Sequence, residues 1–425
     1  MRLRIEKMVY GGAGLAREDA GRALFVLFTL PGEVVEARVV EERGGFGEAA
    51  LVRVVEGSAD RVGPGCVHFG DCGGCHYQQG SYGAQLEIKR GILVETLERA
   101  GLVELPAVKV HGSGEAWKYR NRIRLRVAEV DGELRVGYLR RGSAEFLPVR
   151  MCPIAAPLLW RAAEALLKVG TDVIGSKWVR ATVEVELFAA ADESRLQMVL
   201  FVEREAGKGF DAMCLKMQEL VPELVGAGVM VMGPGRKMRA GMAWGAEGLS
   251  YEVVGEKYWV GRGSFFQVNR WLVPELVGLV AGGRKGLIAW DLYAGVGLFS
   301  RALAKNFSEV VAVEAAGGDL AKSFKGKGKR AVSATTVEFL RGAVLQRDKP
   351  ALVVMDPPRA GVGAEVCALL ARVSAKEMVY VSCDPVTLGR DLKALVDSGY
   401  RLVELHLVDL FPQTFHLETV VVLRK

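Results

Sequence analysis

Four acids and a cysteine stand at the ends of apolar runs, where a folded chain turns side chains toward a cleft. Cys383 follows the run KEMVYV and precedes Asp384 and Pro385. A thiol at such a strand exit is either a small core residue or a nucleophile. Asp356 closes the run LVVM and is followed by Pro357 and Pro358, which fix the turn behind it. It is either part of a plain turn or a carboxylate held at the carboxyl edge of a parallel sheet, where ligands bind. Glu418 precedes TVVVL and is either a surface acid or a general base. Asp291, Gly295 and Gly297 are expected in the turn of LIAWDLYAGVGLFSRALA, a strand, a Gly-containing turn and a helix. Such glycines let backbone approach a nucleotide closely, although a Gly-rich turn after a strand often holds no ligand. Glu314 ends the next strand, EVVAVEA. It follows Asp291 by roughly 20 residues, where an acid can accept hydrogen bonds from ribose hydroxyls. The spacing is G-x-G rather than G-x-G-x-x-G, which favours S-adenosylmethionine over a nicotinamide dinucleotide.

Seven cysteines are present. Cys66, Cys72 and Cys75 follow C-x5-C-x2-C in a Gly-rich segment, RVGPGCVHFGDCGGCHYQQGS, and Cys152 lies downstream in RMCPIAAP. Four thiolates can hold zinc or an iron–sulfur cluster, and spacing does not separate the two. Cys214 and Cys367 lie on apolar helical stretches and read as core. The segment WKYRNRIRLRV sets Lys118, Arg120, Arg122, Arg124 and Arg126 at one parity, with Trp117, Tyr119, Ile123, Leu125 and Val127 at the other. In a strand, five cations would share one face. That face is either a solvated outer surface or a surface for phosphates.

These residues need a frame. Residues 1–60 alternate short β-like runs with Gly-rich turns, which predicts a small β-barrel. Residues 61–250 carry the Cys-rich loop, the helical pattern GAQLEIKRGILVETLERAGL, the basic strand and a mixed α+β texture. From 251 to 425 strands alternate with helices, the signature of a doubly wound, Rossmann-like α/β domain. A chain of 425 residues is too long for one ordinary domain. Half of it is hydrophobic and a quarter charged, the profile of a globular protein. The start, MRLRIEKMVYGGAG, has no apolar core of a signal peptide. No run approaches the ~18 apolar residues of a membrane helix. A cytoplasmic monomer without a membrane partner is expected. The formal net charge of +6 permits a polyanionic partner without requiring one.

The motifs SFFQVN, DLYAGVG, AVEA, DPPRAG, SCDPVTLGRD and FHLETVVVL, in this order, resemble those of the S-adenosylmethionine-dependent RNA uracil-5-methyltransferases. The likeness covers the whole chain. GGAGLAR and LPGEVVEARV resemble a TRAM domain, a small RNA-binding barrel of OB-like type. The resemblance implies that Gln267, Tyr293, Glu314 and Asp356, with the Gly295 and Gly297 turn, surround the methyl donor, and that Phe265 lies beside the target base. It implies that Cys66, Cys72, Cys75 and Cys152 hold a [4Fe–4S] cluster that pins loop and central domain together. Leu298 stands where many members have Asn, and Thr335-Thr336 where an acid or Asn often contacts adenine. The chemistry agrees with the likeness. Uracil C5 becomes nucleophilic once a thiolate adds to C6, and a base must later remove the C5 proton so that the thiol can leave. Cys383 suits the first role and Glu418 the second. Barrel and cluster ligands together resemble the members that act on 23S ribosomal RNA more than those for transfer RNA. Two rivals remain. A non-catalytic RNA-binding protein would not need Cys383 and Glu418 together. A cytosine-5 methyltransferase would carry Pro-Cys or Thr-Cys, absent here.

Overall fold

The structure is a computed structural model of the chain and describes residues 1–173, 175–316 and 318–425. Strands β1 (Arg2–Met8), β2 (Ala13–Arg17), β3 (Ala23–Leu27), β4 (Val34–Arg43) and β5 (Phe46–Glu56) close into a barrel in the order β1-β2-β3-β5-β4. Alternation drives the closure. Leu3, Ile5, Leu24, Val26, Val35 and Ala37 meet in one core while their neighbours face outward. Gly14 is needed there, because a Cβ would stand 2.3 Å from Thr29 Oγ1.

The middle of the chain departs from the expected division at 61–250. Helix α1 (Tyr82–Arg99) and strand β6 (Val108–His111) join the C-terminal sheet rather than the central one. The buried face of α1 carries Ile92, Leu93 and Leu97, which enter the C-terminal core beside Leu388 and Leu392. The central unit proper has β7 (Arg122–Val130), β8 (Glu133–Leu139), β9 (Phe146–Pro148), α2 (Pro157–Val169), α3 (Ser176–Ala181), β10 (Thr182–Ala189), β11 (Leu196–Val202), α4 (Phe210–Leu220), β12 (Leu224–Met232) and β13 (Met238–Gly245). Its sheet runs β13-β12-β11-β10-β7-β8-β9. One face buries Ile123, Leu125, Leu187 and Leu200 against α2 and α4, with Cys214 among them. The boundary expected at 250 falls inside the hairpin of β14 (Gly248–Val253) and β15 (Glu256–Gly261). Tyr251, Tyr258 and Val260 of that hairpin pack into the C-terminal core together with Phe188 of β10.

The C-terminal part contains α5 (Val273–Ala281), β16 (Gly286–Leu292), α6 (Leu298–Leu303), β17 (Phe307–Glu314), α7 (Gly318–Ser323), β18 (Lys329–Ser333), α8 (Thr336–Gln346), β19 (Leu352–Met355), α9 (Gly363–Val373), β20 (Glu377–Ser382), α10 (Pro385–Asp397), β21 (Arg401–Val408) and β22 (Thr419–Arg424). Sheet order is β18-β17-β16-β19-β20-β22-β21-β6. Strands β16 to β20 pair in parallel, and β22 runs antiparallel to both β20 and β21. Both faces are covered, as a parallel sheet requires: Leu352 and Val354 enter one core, Val353 and Met355 the other. Cys367 is buried in the second. Strand order reverses between β16 and β19, so their carboxyl ends part there and leave a crevice. Among the described residues, no helix is long and apolar enough to cross a membrane.

Candidate active site

The crevice is a cleft of 810 Å³ lined by Phe265, Gln267, Tyr293, Gly295, Glu314, Asp356, Cys383 and Glu418, all singled out by sequence. Ser264, Arg359 and Phe411 line it as well. No periodicity or spacing marks these three; Arg359 could have been suspected as the cation after Asp356-Pro357-Pro358. Phe265 is 67 % exposed at the mouth.

Each side chain is placed by a local device. Tyr293 leaves β16 with φ of 63°, a left-handed conformation that costs energy for a tyrosine. Gly295 and Gly297 follow at φ of 56° and 87°. Nothing stands within 4 Å of a Cβ built on Gly295, so its backbone is open to a ligand, whereas Gly297 caps α6. Glu314 accepts from the backbone N–H of Gly295 at 2.9 Å and of Ala316 at 3.0 Å. Asp291 does not sit in the turn. It lies within β16, fully buried, and accepts from Ser300 Oγ. Burial pushes its carboxyl up to about 7. Thr335 caps α8 through a capping box with Glu338.

The acid after the cysteine is explained by a cap. Asp384 Oδ1 accepts from the backbone of Val386 at 3.0 Å and Thr387 at 3.1 Å, which starts α10, and Pro385 occupies its first turn. Asp384 Oδ2 accepts from Tyr10 of the barrel at 3.2 Å. The DPPRAG loop is fixed by buried Asp391, which accepts from Val362 N–H and Tyr380 Oη, each at 2.8 Å. Gly361 is obligatory beside it: φ is 73°, and a Cβ would stand 2.3 Å from Asp391 Oδ2. The loop between β21 and β22, which carries Phe411 to the cleft, is held from outside. Fully buried Lys89 donates to Asp409 Oδ1 at 2.5 Å and to Phe411 O at 3.0 Å. Tyr119 Oη donates to Pro412 O at 3.0 Å, and Gln85 and Gln413 exchange two hydrogen bonds.

The protonation of the cleft is unusual. Glu418 is no surface acid: it is 3 % exposed, and burial together with Asp356 raises it well above the carboxylate range. Asp356 is pushed up to about 7, by burial first and by Asp291 second; Gln267 Nε2 donates to it at 3.3 Å and opposes the shift. The Cys383 thiol is not lowered, as a nucleophile's usually is, but pushed up to about 11 by burial, Glu418 and Asp356. Arg359 opposes that rise.

The basic strand differs from expectation. Lys118 (φ 55°) and Arg120 precede β7, so only Arg122, Arg124 and Arg126 share its face. All three are met by carboxylates of β10: Arg122 by Glu186 at 3.3 Å, Arg124 and Arg126 by Glu184 at 2.5 and 3.4 Å. Arg122 and Arg124 also lie over the rings of Phe188 and Phe201 at 4.1 and 3.7 Å. The row of cations is therefore a paired inter-strand array, in which two acids of β10, Glu184 and Glu186, serve the three arginines.

The four loop cysteines gather but do not close. Burial raises the thiols of Cys66, Cys72 and Cys75, the last to about 12, and in each case Cys152 adds to the rise. Cys72 Sγ accepts from Gly74 N–H at 3.4 Å, and Tyr138 Oη donates to Cys152 Sγ at 3.5 Å. Among the described residues, however, no three His, Cys, Asp or Glu side chains stand where they could hold a metal ion. The three loop cysteines and Cys152 thus lie near one another without forming a single-ion site among the described residues.

The family model for tRNA (uracil-5-)-methyltransferase matches residues 327–425, the stretch that holds Asp356, Cys383 and Glu418. A protein of Aquifex aeolicus named as an uncharacterized RNA methyltransferase is 33 % identical over 100 % of this chain and 98 % of its own. The 23S rRNA (uracil(1939)-C(5))-methyltransferase RlmD of Aeromonas salmonicida is 32 % identical over 98 % of this chain and 94 % of its own. The chain belongs to the RNA uracil-5-methyltransferase family. Its fold is that of the Pyrococcus abyssi tRNA (uracil-54, C5)-methyltransferase, solved with S-adenosyl-L-homocysteine: TM-score 0.77, 23 % identity, 100 % of both chains covered. Membership in the RNA uracil-5-methyltransferase family sets aside the non-catalytic and the cytosine-5 alternatives.

Proposed function

We propose that the cleft methylates C5 of a uridine through a covalent bond between Cys383 and C6, with S-adenosylmethionine as donor. The observation that carries this reading is the meeting of Cys383, Glu418 and Asp356 in one cleft, two of them acids that burial pushes toward the neutral form. Bound S-adenosylmethionine supplies an electrophilic methyl group and a positive charge. Glu314, the open backbone at Gly295, and Gln267 with Asp356 fit such a ligand: acceptors for a ribose, a close backbone approach, and acids short of a counter-charge. Phe265, exposed at the mouth, suits the face of an unstacked base.

The chain's own steps follow. Cys383 gives its proton to water and adds as the thiolate to C6, and the C5–C6 π pair moves toward O4, leaving C5 nucleophilic. After C5 is methylated, Glu418 takes the C5 proton. The C5–H electrons re-form the C5–C6 bond, and the C6–S bond breaks to release Cys383. Burial and the neighbouring Asp356 raise the proton affinity of the Glu418 carboxylate, which suits it to accept that proton.

Large-subunit ribosomal RNA is the favoured substrate, supported by the relatives named for 23S rRNA that match nearly the full length. Transfer RNA is the second reading, because the Pyrococcus abyssi enzyme of that name covers the same fold from end to end. The closed barrel fits a TRAM-like RNA contact, and such substrates fit a cytoplasmic location. Mass spectrometry of 23S rRNA and tRNA from a deletion strain tests this: one 5-methyluridine should vanish from 23S rRNA, and a loss confined to tRNA overturns the ribosomal reading.

A [4Fe–4S] cluster on Cys66, Cys72, Cys75 and Cys152 belongs to the same proposal. Each thiolate of a cubane binds its own iron, so its ligands stand farther apart than around one ion. Backbone N–H groups already point at Cys66 and Cys72, as hydrogen bonds tuning a cluster do. The cluster would supply a covalent clasp for the loop. Anaerobically purified protein should hold roughly four irons and four sulfides; stoichiometric zinc without sulfide overturns it.

A further inference from the structure

We infer that His416 is a positioning residue: it holds the guanidinium of Arg359 beside the Cys383 thiol without cancelling its charge, and the cysteine loop holds His416 in turn. The inference rests on the reading of Cys383 as nucleophile. Arg359 Nη2 donates to His416 Nδ1 at 2.8 Å. Arginine has no acceptor, so Nδ1 must be the unprotonated nitrogen. A carboxylate in that place would also fix the guanidinium, but it would neutralise the charge that favours a thiolate. A neutral imidazole fixes it and leaves the charge intact. Burial and the neighbouring Arg359, Lys89 and Arg120 push His416 down to about 4, which keeps Nδ1 an acceptor at neutral pH.

Cys383 faces Glu418, Asp356 and Asp384, with Tyr10 beside it, and Arg359 is the cation among them. Its place therefore decides how readily the thiol ionises. His416 is itself held by aromatic packing on Phe415 at 4.3 Å and Phe411 at 5.7 Å, and its N–H donates to Thr414 Oγ1 at 3.2 Å. The next contact comes from the cysteine loop. His76 lies edge-on to Phe415 at 4.6 Å, and the N–H groups of His76 and Tyr77 donate to Gln413 O at 2.8 and 3.0 Å. A path of side-chain contacts thus runs from the residue after Cys75 to Arg359, whose charge acts on Cys383.

The test uses the full-length protein with His416→Ala, His416→Asn, Arg359→Ala and the double variant His416→Ala/Arg359→Ala. Two readouts are followed: the rate of covalent band formation with RNA containing 5-fluorouridine, and the pH dependence of iodoacetamide alkylation of Cys383 by peptide mass spectrometry. His416→Ala should slow the band by about 100-fold, the scale of a misplaced catalytic group, and move Cys383 alkylation to higher pH. His416→Asn, whose side-chain oxygen can accept the same hydrogen bond, should recover the rate to within about threefold of wild type. The double variant should be no slower than Arg359→Ala alone. A His416→Ala protein with the wild-type rate and alkylation profile overturns the inference. So does one that is slow with an unshifted profile and no rescue by Asn, which is the behaviour of a merely structural residue. A Cys383→Ala protein that still forms the band defeats the underlying nucleophile reading instead, whatever the His416 variants do.

Discussion

The cleft and the arginine face of β7 look alike in sequence, as ionisable residues on or at the end of strands, and differ in what stands opposite them. In the cleft, Asp356, Glu418 and Cys383 crowd together with like charge, and burial drives all three toward their neutral forms. On β7, Arg122, Arg124 and Arg126 each meet a carboxylate of β10. The first arrangement is unstable as charge, and Arg359 only partly offsets it. The second is largely neutralised without any ligand, two acids serving three guanidinium groups. A charged residue is thus read as functional by the absence of its partner, not by its charge.

That contrast can be broken most sharply at the cleft. Cys383→Ala should bind RNA and donor yet give no covalent band and no product, a loss beyond about 1,000-fold. Glu418→Gln should methylate and then stall with RNA attached, lowering turnover by about 100- to 10,000-fold; normal turnover would make the buried acid a bystander. The pH dependence is the next lever. With the thiol pushed up to about 11, the thiolate fraction of the free protein still climbs between pH 7 and pH 9. Alkylation of Cys383 should rise by roughly 100-fold over that range without a plateau, whereas an ordinary thiol levels off near 8.5. The smallest effect belongs to β7. Arg124→Ala should leave the salt dependence of RNA binding nearly unchanged, because Glu184 already occupies the guanidinium. A slope shallower by about one unit would return that face to phosphate binding.

Much of the frame was legible. The β2–β5 turns, the strand–helix alternation after 286 and the burial of Cys214 and Cys367 follow from local periodicity. Gly295, Glu314, Asp356, Cys383 and Glu418 were legible as candidates because they flank apolar runs, whereas Phe265, Gln267 and Tyr293 came from the family resemblance alone. Three things were not. α1 and β6 carry ordinary helical and strand patterns, so nothing in them announces that their partner is a sheet formed more than 150 residues later. Asp291 sits one strand residue earlier than its turn-like neighbours suggested. Arg359 and Phe411 sit in loops, which have no period to betray which way a side chain points.

The sequence by itself determined the elements and the reactive groups: a thiol after β20, acids after β19 and before β22, glycines after β16, four cysteines at fixed spacing. These depend on side-chain type and on contacts within a few residues. Only the tertiary structure decided which of those groups are charged. Glu184 and Glu186 reach β7 across a strand pairing, Glu418 before β22 meets Asp356 after β19 across the intervening β20, and Tyr10 reaches Asp384 from the barrel. The reason is physical: hydrophobic periodicity is written along the chain, whereas Coulomb interaction and desolvation depend on distances through space that no local stretch specifies.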